Sequence, residues 1–170
     1  MLKSLTLMTA SFLVAASYAA SREDVMRAHI TSTSMRSLSG NVSFENVEKG
    51  TRVTGHFSGL KPNTTHGFHV HEKGECKGPD YKSAGGHYNP NNRMHGSPDS
   101  ASSHVGDLGN LIADANGMAG IDEVVPHNKA GDFKKMLGKA VIIHSEKDDM
   151  RSQPSGDSGD RIACGVISKI

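Results

Sequence analysis

Gly67-Phe68-His69-Val70-His71 alternates apolar and imidazole side chains, and side chains alternate across a β-strand with a period of two. His69 and His71 therefore share one face, and Phe68 and Val70 turn the other way, into a core. Outward from this strand the chain keeps the same character. Short β-rich runs near residues 27–34, 38–46, 51–59, 65–72, 108–114, 118–125, 139–145 and 161–168 alternate with Gly, Asn, Pro and Asp, and no long 3.6-residue period interrupts them. Turn signals stand at Ser39-Gly40, Lys49-Gly50, Lys61-Pro62-Asn63 and Asn116-Gly117. Asn116-Gly117, flanked by Leu111-Ile112 and Ile121, predicts a hairpin. Eight short strands at this spacing predict an all-β sandwich or small barrel. Two long segments, 73–107 and 146–160, break the rhythm. Loops beyond about 15 residues are uncommon unless functional or disordered, and the first holds Cys76, His87, His95 and His104. It reads as functional.

The ends and the composition bound what such a protein does. Lys3, the apolar stretch Leu5 to Ala16 and the small residues of Ser17-Tyr18-Ala19 predict a signal peptide over 1–20, cut after Ala19 or Ala20. One domain over 21–170 remains, a size that buries roughly 70% of its unfolded surface. Lys and Arg total 19 against 18 Asp and Glu, and removal of Lys3 brings the mature chain to neutrality. Neutrality argues against nucleic acid or an anionic membrane as partner, since both are held through a basic excess. No other apolar run reaches the roughly 18 residues that span a bilayer. The expectation is a small exported protein, periplasmic or extracellular. Its two cysteines, Cys76 and Cys164, suffice for one disulfide in such a compartment.

Histidine is the informative residue. Six of the ten fall between His66 and His104, where an even spread would put about two. His69 and His71 on one strand face make half of a metal site, although an isolated His-x-His is equally often a solvated pair, and a His₃ zinc site would begin the same way. His87, His95, His104 and Asp107 follow the pattern H-x7-H-x8-H-x2-D. Three imidazoles and a carboxylate suit tetrahedral zinc in a closed structural site; a merely His-rich loop is the alternative. His144 ends the apolar strand Ala140-Val141-Ile142-Ile143, and His69, His71, His87 and His144 together form an all-imidazole set suited to tetragonal Cu(II).

Four blocks now resemble a known family. Gly67-Phe68-His69-Val70-His71-Glu72, Ala84-Gly85-Gly86-His87-Tyr88-Asn89-Pro90, His104-Val105-Gly106-Asp107-Leu108-Gly109-Asn110 and Arg161-Ile162-Ala163-Cys164-Gly165-Val166-Ile167 are similar to copper–zinc superoxide dismutases. The likeness runs from about residue 28 to 168, with the blocks in family order. It implies an eight-stranded Greek-key β-barrel or flattened sandwich with two long functional loops. It implies copper on His69, His71, His87 and His144, and zinc on His87, His95, His104 and Asp107, one of each metal per subunit, with His87 bridging. Asp148 would accept from the free ring N–H groups of His69 and His95; without the resemblance, Asp148-Asp149 reads as a solvated loop pair. Arg161 would hold a small anion beside copper, Cys76 and Cys164 would form the intrachain disulfide, and the reaction implied is disproportionation of superoxide.

Other features depart from the family or stand outside it. Ser145 to Asp160 is short for the family's electrostatic loop, and only Lys147 and Arg151 are basic there, so the guiding lysines have no evident counterparts. The short ending Gly165 to Ile170 leaves a homodimer possible and unassigned. His29, His56, His66 and His127 match no ligand position and read as ordinary strand-end or loop residues. Asn41-Val42-Ser43 and Asn63-Thr64-Thr65 are glycosylation sequons. A non-enzymatic metal carrier, a zinc hydrolase and a copper-only relative are the competing readings. The intact ligand sets and Arg161 weigh against each of them.

Overall fold

The computed structural model describes residues 25–170 except 36, 127–130 and 132. The leader expected over 1–20, and His127, lie outside these residues. Nine strands follow one another: β1 (Val25–Thr31), β2 (Ser39–Val47), β3 (Gly50–Ser58), β4 (Thr65–His71), β5 (Asp107–Ile112), β6 (Ala119–Pro126), β7 (Ala140–His144), β8 (Arg161–Val166) and β9 (Ser168–Lys169). Two short 3-10 turns, Lys82–Ala84 and Phe133–Met136, complete the regular structure. Among the described residues no helix is long and apolar enough to cross a membrane.

The strands hydrogen-bond in the order β5-β4-β7-β8-β1-β2-β3-β6, every described pairing antiparallel, and β9 adds to β1. The all-β barrel expected from the sequence is the fold found, nearly closed on itself. β1 to β3 alternate buried and exposed residues, turning Met26, Ala28, Ile30, Val42, Phe44, Val53 and Phe57 inward. Phe57 meets Phe68 of β4 edge-on, ring centroids 5.3 Å apart, a favoured aromatic geometry. β4 and β7 are buried on both faces, because the long loops cover the side turned away from the core.

Three local expectations need correction. Ser39-Gly40 opens β2 rather than forming a turn; a Cβ on Gly40 would lie 2.3 Å from the Phe57 ring, so the glycine serves close packing. Asn116-Gly117 does reverse the chain, with Gly117 at φ 73°, but β5 and β6 do not pair. Instead Leu60 N–H donates to Gly117 O and Asn63 N–H to Asp114 O, so the turn closes one end of the barrel against the β3–β4 link. The last run is broken at Ile167, which is buried and pairs with Gly138 and Lys139, leaving the two-residue β9 beyond it.

The first long loop does not hang free. Tyr88 N–H donates to Val70 O, Val70 N–H to Gly106 O and Gly106 N–H to Tyr88 O, so both its limbs lie along β4. Gly106 is obligatory at this crossing, since a Cβ there would stand 2.2 Å from Val70 O. The Cys76–Cys164 disulfide, Cα atoms 5.6 Å apart, ties the same loop to β8.

Candidate metal centre

β4 lies between β5 and β7, with β8 beyond β7, and this order gathers the site. His69 pairs with Ile142 of β7 and with Asp107 of β5; His144 faces Arg161 across β7 and β8. The register shifts at both places, between Gly67 and His69 and between Ile143 and His144. Such irregularities re-aim side chains beside functional sites. The loop brings His87 against His71 through an isolated bridge.

Two ligand groups result. One donor atom from each of His69, His71, His87 and His144 lies within 4.8 Å of the other three, and the same holds for His87, His95, His104 and Asp107. All seven residues are buried. His87 belongs to both groups, with Nδ1 2.8 Å from Asp107 Oδ1 and Nε2 left to the first group. Around Asp107 Oδ1 stand His87 Nδ1 at 2.8 Å, His95 Nδ1 at 3.0 Å and His104 Nδ1 at 3.2 Å. A tetrahedral ion with bonds of about 2.0 Å separates its ligands by roughly 3.3 Å, close to this spacing. In the first group His71 Nε2 and His144 Nε2 are 3.4 Å apart.

Orphaned atoms test the fit. His69 Nδ1, His87 Nε2, His95 Nδ1 and His104 Nδ1 are buried and make no hydrogen bond within the protein. Each such group costs about 1–3 kcal/mol if nothing binds it, and each faces the interior of its ligand group. The first group, four imidazoles, fits copper; the second, three imidazoles and a carboxylate, fits zinc.

Burial and charge divide the histidines. Burial pushes His69 and His71 well below the ordinary imidazole value, and His144 down to about 4, so these rings are neutral and ready to ligate. Burial also lowers His104. At His95 burial acts the same way, but the Asp107 carboxylate 3.0 Å from Nδ1 and the bond from Nε2 to Asp148 outweigh it and raise the ring to about 9. Burial opposes the charge of Asp107, yet His87 and His95 against it hold its carboxyl far below the usual range.

Asp148 spans the two groups from behind. It accepts from His69 Nε2 at 2.8 Å and His95 Nε2 at 2.9 Å, fully buried. Carboxylates in this position fix the tautomer and orientation of ligating rings. Asp149 beside it is exposed and, among the described residues, accepts only from its own turn, at Arg151 N, Ser152 N and Ser152 Oγ. Arg161 donates to Tyr81 O at 2.8 Å and Gly85 O at 2.7 Å, and His71 Nδ1 donates to the same Gly85 O at 2.9 Å. The guanidinium thus stands at a fixed distance from the first group, lining with His71, His87, His144, Pro154 and Ser155 a cavity of about 340 Å³.

Two contributors carry no legible signal in sequence. His66, an ordinary strand residue by its pattern, is buried and donates from Nδ1 to His144 O at 2.8 Å, bracing that ligand's backbone. Asn110 pairs with both N–H and C=O of Asp148, at 2.8 and 3.0 Å. His29 and His56 are exposed on the barrel, away from both groups.

Known proteins agree with this arrangement. The profile of the copper/zinc superoxide dismutase family matches residues 38–167. The chain is 38% identical over 133 residues to superoxide dismutase [Cu-Zn] 2 of Aquifex aeolicus, covering 75% of this chain and 78% of that one. It is 35% identical over 140 residues to an extracellular superoxide dismutase [Cu-Zn] of Brugia pahangi, covering 77% and 69%. Among solved structures the clock protein EA4 superposes with a TM-score of 0.77 at 34% identity, covering 91% and 99%. A SOD-like protein from Bacillus subtilis gives 0.72 at 34%, covering 82% and 96%. A match this long, running through strands and loops alike, makes the chain a member of the copper/zinc superoxide dismutase family of oxidoreductases.

Proposed function

We propose that the protein converts two superoxide anions and two protons into oxygen and hydrogen peroxide at the cavity beside Arg161. The observation that carries this reading is the pair of buried ligand groups sharing His87, with orphaned ring nitrogens aimed into both. Copper held by His69, His71, His87 and His144 supplies the one-electron chemistry, and zinc held by His87, His95, His104 and Asp107 keeps His87 in place. Arg161, anchored on Tyr81 O and Gly85 O, uses its remaining N–H groups to hold the small anion while staying charged. His87 Nε2 would take up a proton in the half-reaction in which that nitrogen leaves copper and would give it to the departing peroxide in the other, while Nδ1 stays on the Asp107 side. Asp148 keeps the His69 and His95 rings in the tautomers that ligate.

Purified protein carrying both metals, compared with the same protein stripped of copper, tests the proposal. Rapid superoxide decay lost on stripping is expected. No acceleration with both metals bound would leave a metal carrier on an enzyme's fold. Export is part of the same reading, supported by the disulfide and the likeness to an extracellular relative. N-terminal sequencing of the mature protein should begin at Ala20 or Ser21; a chain beginning at Met1 would refute it.

A further inference from the structure

The segment 145–160 carries Lys147 and Arg151 as its only bases and is highly organised. Ser145 N–H donates to Asp160 O, Glu146 N–H to Ser158 O and Asp149 N–H to Gly156 O. Two of its side chains, Gln153 and Asp148, meet at His95. Gln153 Oε1 accepts from His95 N–H at 2.8 Å, and Gln153 Nε2 donates to His95 O at 3.0 Å and to Arg151 O at 3.0 Å. The side-chain amide pairs with both main-chain groups of His95 as a neighbouring strand would. Asp148, five residues earlier, takes the other end of the same histidine at ring Nε2.

The other members of that ligand group rest on the barrel. Asp107 begins β5, His87 bridges to β4, and His104 N–H donates to Asp107 Oδ2 at 3.0 Å. His95 belongs to no strand, and among the described residues none of its own main-chain groups bonds another main chain; only the following Gly96 N–H reaches β5, donating to Asp107 Oδ2 at 3.0 Å. Without Gln153 its N–H and C=O would be left to water, and the residue would be held by its ring alone. Gly156 completes the grip: at φ 70° it packs so closely that a Cβ would stand 1.9 Å from Asp148 Oδ1 and 2.6 Å from His95 Nε2.

We infer that Gln153 is a positioning residue for zinc, and that the 145–160 loop clamps the ligand whose own main-chain groups the barrel does not hold. The inference rests on reading His87, His95, His104 and Asp107 as the zinc group. Because Gln153 is itself exposed, replacing it opens no cavity in the core.

Zinc and copper affinities of the full protein, measured by competition with a chromophoric chelator, decide the matter for wild type, Gln153→Met and Gln153→Ala. Methionine keeps the length of the side chain and removes its hydrogen bonds. Both variants should bind zinc about tenfold more weakly, with copper affinity within about twofold of wild type. The cobalt-loaded zinc site should show a shifted visible spectrum in both. Unchanged zinc affinity would overturn the inference, and so would zinc and copper affinities falling together, which is general loosening. His104→Ala separates the two layers of the reading. If it binds zinc as tightly as wild type, the zinc group itself is misassigned; if it loses zinc while Gln153→Met does not, only the clamp is wrong.

Discussion

Asp148 and Asp149 are neighbours of identical chemistry, and nothing in their own dipeptide says which one turns inward. The path of the loop decides it: Asn110 grips both main-chain groups of Asp148, Met150 N–H donates to its Oδ1, and Gly156 seals it from above. Its two oxygens serve one ring of each metal group, so Asp148→Asn should weaken copper and zinc alike, by about 10- to 100-fold. That pattern differs from the zinc-only loss expected of Gln153→Met, and the same chelator competition reads both. His144→Ala removes a ligand of the first group alone. Copper and activity should vanish while zinc content and the circular dichroism spectrum stay those of wild type; full activity in this variant would refute the copper assignment. His66 shows the limit of legibility at this scale. A histidine matching no ligand position can still brace one, here through the His144 carbonyl, and only the tertiary contact reveals it.

Strands were legible because burial on one side imprints a period of two, as in Met26, Ala28 and Ile30 of β1. Partnership was not. Asn116-Gly117 encodes a reversal of the chain, but β5 already pairs with β4 and β6 with β3, so the reversal closes the barrel instead of building a hairpin. The first long loop was legible as functional from its histidines, while the internal order of both loops was hidden, since it comes from contacts such as those of Gln153 with His95. The disulfide acts at this same scale. It closes 88 residues of sequence separation and pins the segment whose Tyr81 and Gly85 carbonyls hold Arg161. Replacing Cys76 and Cys164 by serine should lower the unfolding free energy by about 2–5 kcal/mol, read from urea denaturation. The metal-loaded double variant should also lose superoxide turnover, because the guanidinium loses its fixed supports. A variant as stable and as active as wild type would show the bond to be dispensable.

Taken whole, the barrel gathers seven buried residues that could hold metal, and their protonation pulls in opposite directions before any metal binds. His69, His71, His104 and His144 are depressed, His144 to about 4. The unfolded chain, with imidazoles near 6.5, binds protons there that the folded chain refuses, so their contribution is complete above pH 6.5 and is lost as pH falls toward 4. His95 is raised to about 9 by Asp107 and Asp148 against the effect of burial. Its contribution has the opposite sign: it is complete below pH 6.5 and is lost as pH climbs through 9. The metal-free protein should therefore be most stable near pH 6.5 and weaken on both sides, the acid side falling further because four depressed rings act there against the single raised one. Zinc replaces the His95 proton, so the alkaline decline should vanish in zinc-loaded protein while overall stability rises. Urea midpoints from pH 4 to pH 9.5, with and without zinc, give the measurement. A metal-free midpoint that keeps rising to pH 9 would mean that His95 is not held as a cation between two carboxylates, and the electrostatic account of the zinc group would fail with it.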